Sequence, residues 1–169
     1  MGIVKYIILL LIFFSSTAIG ILLSKKYVNR ANELKEMRNA LNMFKTKIKY
    51  TYEPIPNIFK EISKNLTTSV SNIFKIANEK MKIETAGQAW NDAIEECNTN
   101  LSREDLNILK GLGKLLGKTD VEGQLSEIEL TSSFIDTQIE KSETERAKNE
   151  KLYKTLGIVA GLAIVIVLI

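Results

Sequence analysis

The sequence predicts an all-α fold, a six-helix antiparallel bundle flanked by an N-terminal and a C-terminal transmembrane helix. Three observations lead there. Two long apolar runs occupy the ends of the 169-residue chain. Between them apolar residues recur at steps of three and four, with no sustained strand alternation. The only two prolines, Pro54 and Pro56, stand together and punctuate a single boundary. At about 100–200 residues per domain, this length accommodates one compact domain and no second.

The first apolar run covers residues 6–23, 18 positions without a charge, between Lys5 and the pair Lys25 and Lys26. As a helix it rises about 27 Å, close to the roughly 30 Å of a bilayer's hydrocarbon core. A cleaved signal peptide is the competing reading, because Ala18-Ile19-Gly20 loosely matches the small-x-small pattern before a cleavage site. The run continues through Ile21, Leu22 and Leu23 and so exceeds a usual signal core, which favours an uncleaved anchor over residues 1–23. The second run, residues 156–169, is shorter. Extending it back to Leu152 brings it to span length if Lys154 snorkels its ammonium to the headgroups.

Orientation follows from the basic residues. Five Lys and Arg lie within residues 24–40 and five more within 140–155, whereas the outer flanks offer only Lys5. The positive-inside bias therefore expects residues 24–155 in the cytoplasm and both termini outside. The single unpaired Cys97 agrees with a reducing compartment.

Within the middle segment each helix shows one apolar stripe. Val28, Ala31, Leu34, Met37, Leu41, Phe44 and Ile48 form the first. Glu53-Pro54-Ile55-Pro56 ends that helix and opens the second, since Pro disfavours the α-region before it and fits a first helical turn. Ile55, Ile58, Phe59, Ile62 and Leu66 mark the second helix, and Val70, Ile73, Phe74, Ala77 and Met81 the third. Ala86, Ala89, Trp90, Ala93, Ile94 and Cys97 mark the fourth, with Trp90 as a core anchor. Ser102-Arg103-Glu104-Asp105 reads as an N-cap with a reciprocating acid, and it opens a fifth helix carrying Leu106, Leu109, Leu112, Leu115 and Leu116. The sixth begins near Thr119-Asp120, with Glu122 and Glu127 at its positive end and Val121, Leu125, Ile128, Phe134, Ile135 and Ile139 as its stripe. Residues 140–155 read as a charged, solvated stalk supported by Glu143–Arg146 and Glu145–Lys148 pairs. Nothing breaks this helix before Gly157, so it is expected to run on into the second span.

Composition narrows the function. The balanced charge, +3 and spread along the chain, is unlike the footprint of a nucleic-acid binder. With no His and one Cys, an intramolecular disulfide, a Cys/His zinc site and a His general base are all excluded. No catalytic residue, metal-ligand set or cofactor site is nominated. Gly117-Lys118-Thr119 ends like a phosphate-binding loop, but the Gly required five positions earlier is Leu112, and no strand precedes it. Gly113 and Gly117, four apart, instead predict a smooth helix surface for close helix packing. Lys110, Lys114 and Lys118 share that spacing. They form either the wet side of the helix or a basic row for acidic side chains or anionic headgroups. Lys45, Lys47 and Lys49 read the same way, and Glu95 and Glu96, adjacent on a helix, diverge too far to share a proton or metal.

Four segments together resemble the stage III sporulation protein AB family. They are residues 53–59 (Glu-Pro-Ile-Pro-Asn-Ile-Phe), Ala89-Trp90, the run Leu112-Gly113-x-x-Leu116-Gly117-x-Thr119-Asp120-x-x-x-Gln124, and the closing residues 153–162 (Tyr-Lys-Thr-Leu-Gly-Ile-Val-Ala-Gly-Leu). The likeness covers essentially the whole chain, and Gly113, Gly117, Asp120 and Gln124 carry its most specific motif, taken here as a helix-packing element. Thr119 stands where Ser is common in the family and keeps the hydroxyl.

The resemblance implies a mother-cell membrane protein of endospore-forming bacteria, a non-enzymatic platform component of the channel joining mother cell and forespore. It is similar to one copy of the helical domain of type II secretion and type IV pilus platform proteins, which carry two. It implies docking to a cytoplasmic secretion-type ATPase and contact with other channel membrane proteins. The single copy suggests a homodimer that restores the doubled platform, with Lys110, Lys114 and Lys118 bordering a basic groove for the ATPase or for lipid. The alternative is a membrane-active pore or remodelling protein whose amphipathic helices insert into lipid.

Overall fold

The computed structural model describes residues 2–51 and 53–168; Met1 of the expected anchor and Ile169 of the expected second span lie outside them. It has six helices, α1 (Gly2–Thr51), α2 (Ile55–Asn65), α3 (Val70–Lys80), α4 (Ala86–Glu96), α5 (Arg103–Gly113) and α6 (Val121–Leu168). Among the described residues there is no strand. The first apolar run and the first amphipathic stripe are one unbroken helix, because residues 24–27 (Ser-Lys-Lys-Tyr) contain no helix breaker. The last stripe and the second run are likewise continuous in α6.

The helix boundaries follow local chemistry. Pro54, at φ −59° and ψ 139°, is the N-cap of α2, and its carbonyl accepts from Asn57 and Ile58 N–H at 2.9 and 3.2 Å. Thr85 caps α4, its hydroxyl accepting from Gln88 N–H at 3.4 Å. Ser102 caps α5 in a full capping box: Asp105 N–H donates to Ser102 Oγ at 3.2 Å and Ser102 N–H to Asp105 Oδ2 at 2.8 Å. Two amides with no intrahelical partner are thereby satisfied.

Two compact units result, residues 32–140 and residues 1–31 with 141–169. In the first, α2 packs on α3, α3 on α4, and α4 on α5. Side chains from all six helices meet in one buried cluster. Its centre is aromatic: Phe59 lies 5.1 Å from Phe44, 5.0 Å from Phe74 and 5.5 Å from Trp90 between ring centroids, and the first two contacts are edge-on. Each such ring contributes roughly 1.5–3 kcal/mol by burial. Trp90 is fully buried, and its indole N–H donates to the Leu109 carbonyl at 2.7 Å, so burial leaves no orphan donor.

Two carboxylates of α1 fasten loops to it, Glu33 buried and Glu36 partly so. Glu33 accepts from Asn100 N–H at 2.7 Å and Asn100 Nδ2 at 2.6 Å. Glu36 accepts from the amides of Thr67 and Thr68 at 2.7 and 2.8 Å, and from both hydroxyls. Partial burial would raise its pKa, but hydrogen bonds from Thr68 and Thr67 together bring it below the usual carboxylate range.

Three stripe positions depart from expectation. Phe134 is 50% exposed, and Val121 and Leu115 are each 39% exposed. Adjacent positions on a helix point about 100° apart, and Ile128 and Ile135 take the inward direction on α6, which leaves Phe134 beside the core. Leu115 lies beyond the end of α5, in a turn.

In the second unit most apolar side chains of residues 4–23 and 156–168 face outward; Leu11 is 62% exposed, Phe14 64% and Ile166 71%. The buried helix of a soluble protein has the opposite pattern. Both helices are long and apolar enough to cross a membrane, and outward-facing hydrocarbon is what lipid solvates.

Candidate functional site

Within the apolar unit the two helix ends approach through small residues. A Cβ added at Gly20 would stand 2.6 Å from the Tyr153 carbonyl oxygen and 2.9 Å from Gly157 Cα. One at Gly157 would stand 3.0 Å from both Gly20 Cα and the Ser16 carbonyl oxygen. Ser16 Oγ donates to the Gly157 carbonyl at 2.8 Å, and Gly161 faces Phe13. Ser16 and Gly20 are four apart, as are Gly157 and Gly161, so each helix offers a smooth strip to the other. Sequence reasoning missed this contact, although the fourfold spacing of small residues inside apolar runs was its signal.

A polar seam follows along the same pair. The Tyr27 and Tyr153 rings stack at 5.7 Å, and Arg30 Nη1 donates to Glu145 Oε2 at 2.6 Å with the Arg30 side chain only 10% exposed. Ser142 is buried as well. Residues 140–155 are therefore not solvated on every face, and Glu145, expected to pair with Lys148, is held by Arg30 of α1. The expected Glu143–Arg146 pair is present at 3.6 Å, and Glu150 joins it through Arg146 at 3.2 Å.

The 110–124 segment differs from its reading as one helical surface. α5 ends at Gly113 and residues 114–118 form turns, so the fourfold spacing of Lys110, Lys114 and Lys118 does not run along one helix. Gly117 has φ +74°, a left-handed conformation open to Gly at little cost, so its role is to turn the chain rather than to smooth a helix. Gly113 does sit at a close helix contact, but with Gly87 of α4. A Cβ at Gly87 would overlap the Gly113 carbonyl oxygen and stand 3.3 Å from its carbonyl carbon. Asp120 Oδ1 accepts from Gly123 N–H at 2.9 Å and Gln124 Nε2 donates to the Thr119 carbonyl at 3.1 Å, so both residues hold the entry to α6.

The lysines have separate surroundings. Lys110 Nζ lies 2.7 Å from Glu95 Oε1, and this hydrogen bond and charge lower the Glu95 pKa. Lys114 and Lys118 are exposed. Lys45 pairs with Glu129 at 2.7 Å, Lys47 with Glu61 at 2.7 Å, and Lys49 stands over the Tyr50 ring. Glu96 turns to Lys80 at 2.6 Å while Glu95 turns to Lys110. Cys97 is half-buried with its thiol directed at the Ser69 carbonyl; burial, then the nearby Glu33 charge, pushes its pKa up and keeps it a poor nucleophile.

An open concavity lies in the 32–140 unit, a groove of about 520 Å³ between α5 and α6 that includes Ile108, Gly111, Glu127, Leu130 and Phe134 in its wall. The exposed Phe134 thus lines a surface feature instead of the core.

These features define a class: an all-helical protein with one buried helical core and two candidate membrane-spanning segments in its first and last helices. The family model described as Stage III sporulation protein AB matches residues 5–169, and the chain belongs to that family. It is 27% identical over 158 residues to Stage III sporulation protein AB of Bacillus subtilis (strain 168), a match covering 91% of this chain and 92% of the relative. A solved structure of Stage III sporulation protein AB (SpoIIIAB) superposes with a TM-score of 0.65 at 21% identity, covering 71% of this chain and 98% of that one, and so shares its fold.

Proposed function

We infer that this chain is a non-enzymatic platform in the mother-cell membrane, part of the channel between mother cell and forespore. In this reading the six helices form an antiparallel bundle in the cytoplasm, where it docks a secretion-type ATPase and couples it to other membrane proteins of the channel. The observation that carries the reading is the family match over residues 5–169, with candidate spans at both ends of one helical core. The basic residues concentrated between the two spans, on the flanks that face the middle segment, support the cytoplasmic side. Self-association supplies the second helical domain that secretion platforms carry within one chain. With Lys110 already paired to Glu95, Lys114 and Lys118 are the lysines of the 110–118 segment that a partner meets first. Whether they meet the ATPase or lipid is resolved by charge reversal at both positions.

Topology is the first test. Asn98 is exposed in the loop after α4, whereas neighbouring Asn100 is tied to Glu33. With Cys97→Ser and Asn98→Cys, a membrane-impermeant maleimide should label only lysed cells. Labelling of intact cells would place the helical domain outside and end the ATPase reading. If the domain is inside, ATPase co-purification should weaken in the Lys114→Glu, Lys118→Glu chain; unchanged co-purification would remove these lysines from the interface. The membrane-active alternative requires the domain to order only on anionic vesicles, and the continuous buried cluster argues against that requirement.

A further inference from the structure

We propose that the groove between α5 and α6 receives the α3–α4 turn of a second copy of this chain, with Ile83 seated on Leu130 and Phe134 and Lys82 paired with Glu127. The inference rests on the self-association in the reading above and assigns it a surface.

The two halves of this contact complement each other. Leu130 and Phe134 are each 50% exposed on the groove wall, and a Cβ at Gly111 would meet nothing within 4 Å beyond its chain neighbours and the local backbone of its own helix, so the groove has room beside α5. Its charged lining residues are the carboxylates Glu104 and Glu127, with no basic side chain among the lining residues described. That lining disfavours anionic headgroups and favours a partner presenting an apolar knob beside a cation.

Residues 82 and 83 have that chemistry. Ile83 is 87% exposed, more than any other large apolar side chain described in the 32–140 unit, and Lys82 beside it is exposed. The turn is held in shape: Ile83 and Glu84 N–H both donate to the Lys80 carbonyl at 3.0 Å, and Lys80 Nζ is fixed by Glu96 at 2.6 Å. A preformed knob loses little freedom on docking. In a two-fold pair each copy presents the knob and offers the groove, so both contacts form together.

The test uses the full chain in lipid nanodiscs. In a Cys97→Ser background, chains carrying Ile83→Cys are mixed with chains carrying Leu130→Cys and treated with a short bismaleimide. Adducts between the two chain types should dominate; their absence, or equal yield from Ile83→Cys chains alone, would overturn the contact. Lys82→Glu or Glu127→Lys alone should weaken self-association about tenfold, about 1.4 kcal/mol, and the double variant should restore it. A double variant as weak as the singles would overturn the pairing. Trp90 emission confirms that each variant is folded. No ATPase is present, so failure here removes the knob-and-groove contact and leaves ATPase docking to its own test.

Discussion

Adding one methyl group at Gly87 tests a close backbone contact between α4 and the end of α5. In Gly87→Ala the new Cβ overlaps the Gly113 carbonyl oxygen and lies 3.3 Å from its carbonyl carbon. The obstacle is backbone at the end of α5, so no rotamer change relieves it, and the α4–α5 spacing must open. Overpacking of this kind costs about 1–3 kcal/mol, and rigid backbone places it near the upper end. Replacing Gly by Ala in a helix returns about 1 kcal/mol. The expected net loss is about 2 kcal/mol, which at a urea dependence of about 2 kcal/mol/M lowers the midpoint by about 1 M. Trp90 is the chain's only tryptophan, one helical turn from Gly87 and bonded to the Leu109 carbonyl of α5, so its emission reports this unit and this contact. The paired variant is Gly111→Ala, where the Cβ enters open space. It should stabilise by about 0.5–1 kcal/mol. Equal midpoints for the two variants, or a Gly87→Ala midpoint at the wild-type value, would refute the argument from close approach.

Three further outcomes are expected. Ser102→Ala removes half of the α5 capping box and should cost about 1 kcal/mol, read as a lower midpoint by the same emission. Glu36→Gln tests a carboxyl whose pKa is lower in the folded chain than in the unfolded one: its contribution is present above the unfolded value, about 4.3, and is lost as pH falls through the folded value. The variant should therefore be less stable than wild type at neutral pH, with the gap closing on acidification; a gap constant from pH 7 to below the folded value would contradict the assignment. Gly157→Val inserts branched carbon where Gly20 Cα and the Ser16 carbonyl oxygen stand 3.0 Å from a Cβ. Bismaleimide linkage between Tyr27→Cys and Tyr153→Cys in Cys97→Ser membranes should fall severalfold in that variant, and unchanged linkage would show that the helices do not meet at Gly157.

The helical elements were legible because their signals are local. Ser102 and Asp105 are three residues apart, and the capping box they form needs no distant partner. The prolines act through their own φ and the residue before them, and they separate α1 from α2 where expected. Helical period alone places stripe residues such as Leu34, Phe59 and Trp90 on the apolar face of their helix, and that face is the one buried. The 110–118 segment was misread for the converse reason. A spacing of four means a shared face only while the helix lasts, and Gly113, Gly117 and the intervening turn residues are equally compatible with a helix or its end.

From the sequence alone came the all-helical class, the two apolar runs with their charge asymmetry, the helix starts and the family, since each is encoded in period, composition or contiguous motif. The tertiary structure decided what depends on residues far apart in the chain meeting. Gly20 finds Gly157 and Gly87 finds Gly113, and Glu145 is taken by Arg30 in preference to its sequence neighbour. It also decided that Phe134 borders a groove while Ile135 enters the core. The physical reason is that a helix period fixes relative directions within one helix, whereas which direction becomes inside is set only when other helices pack against it.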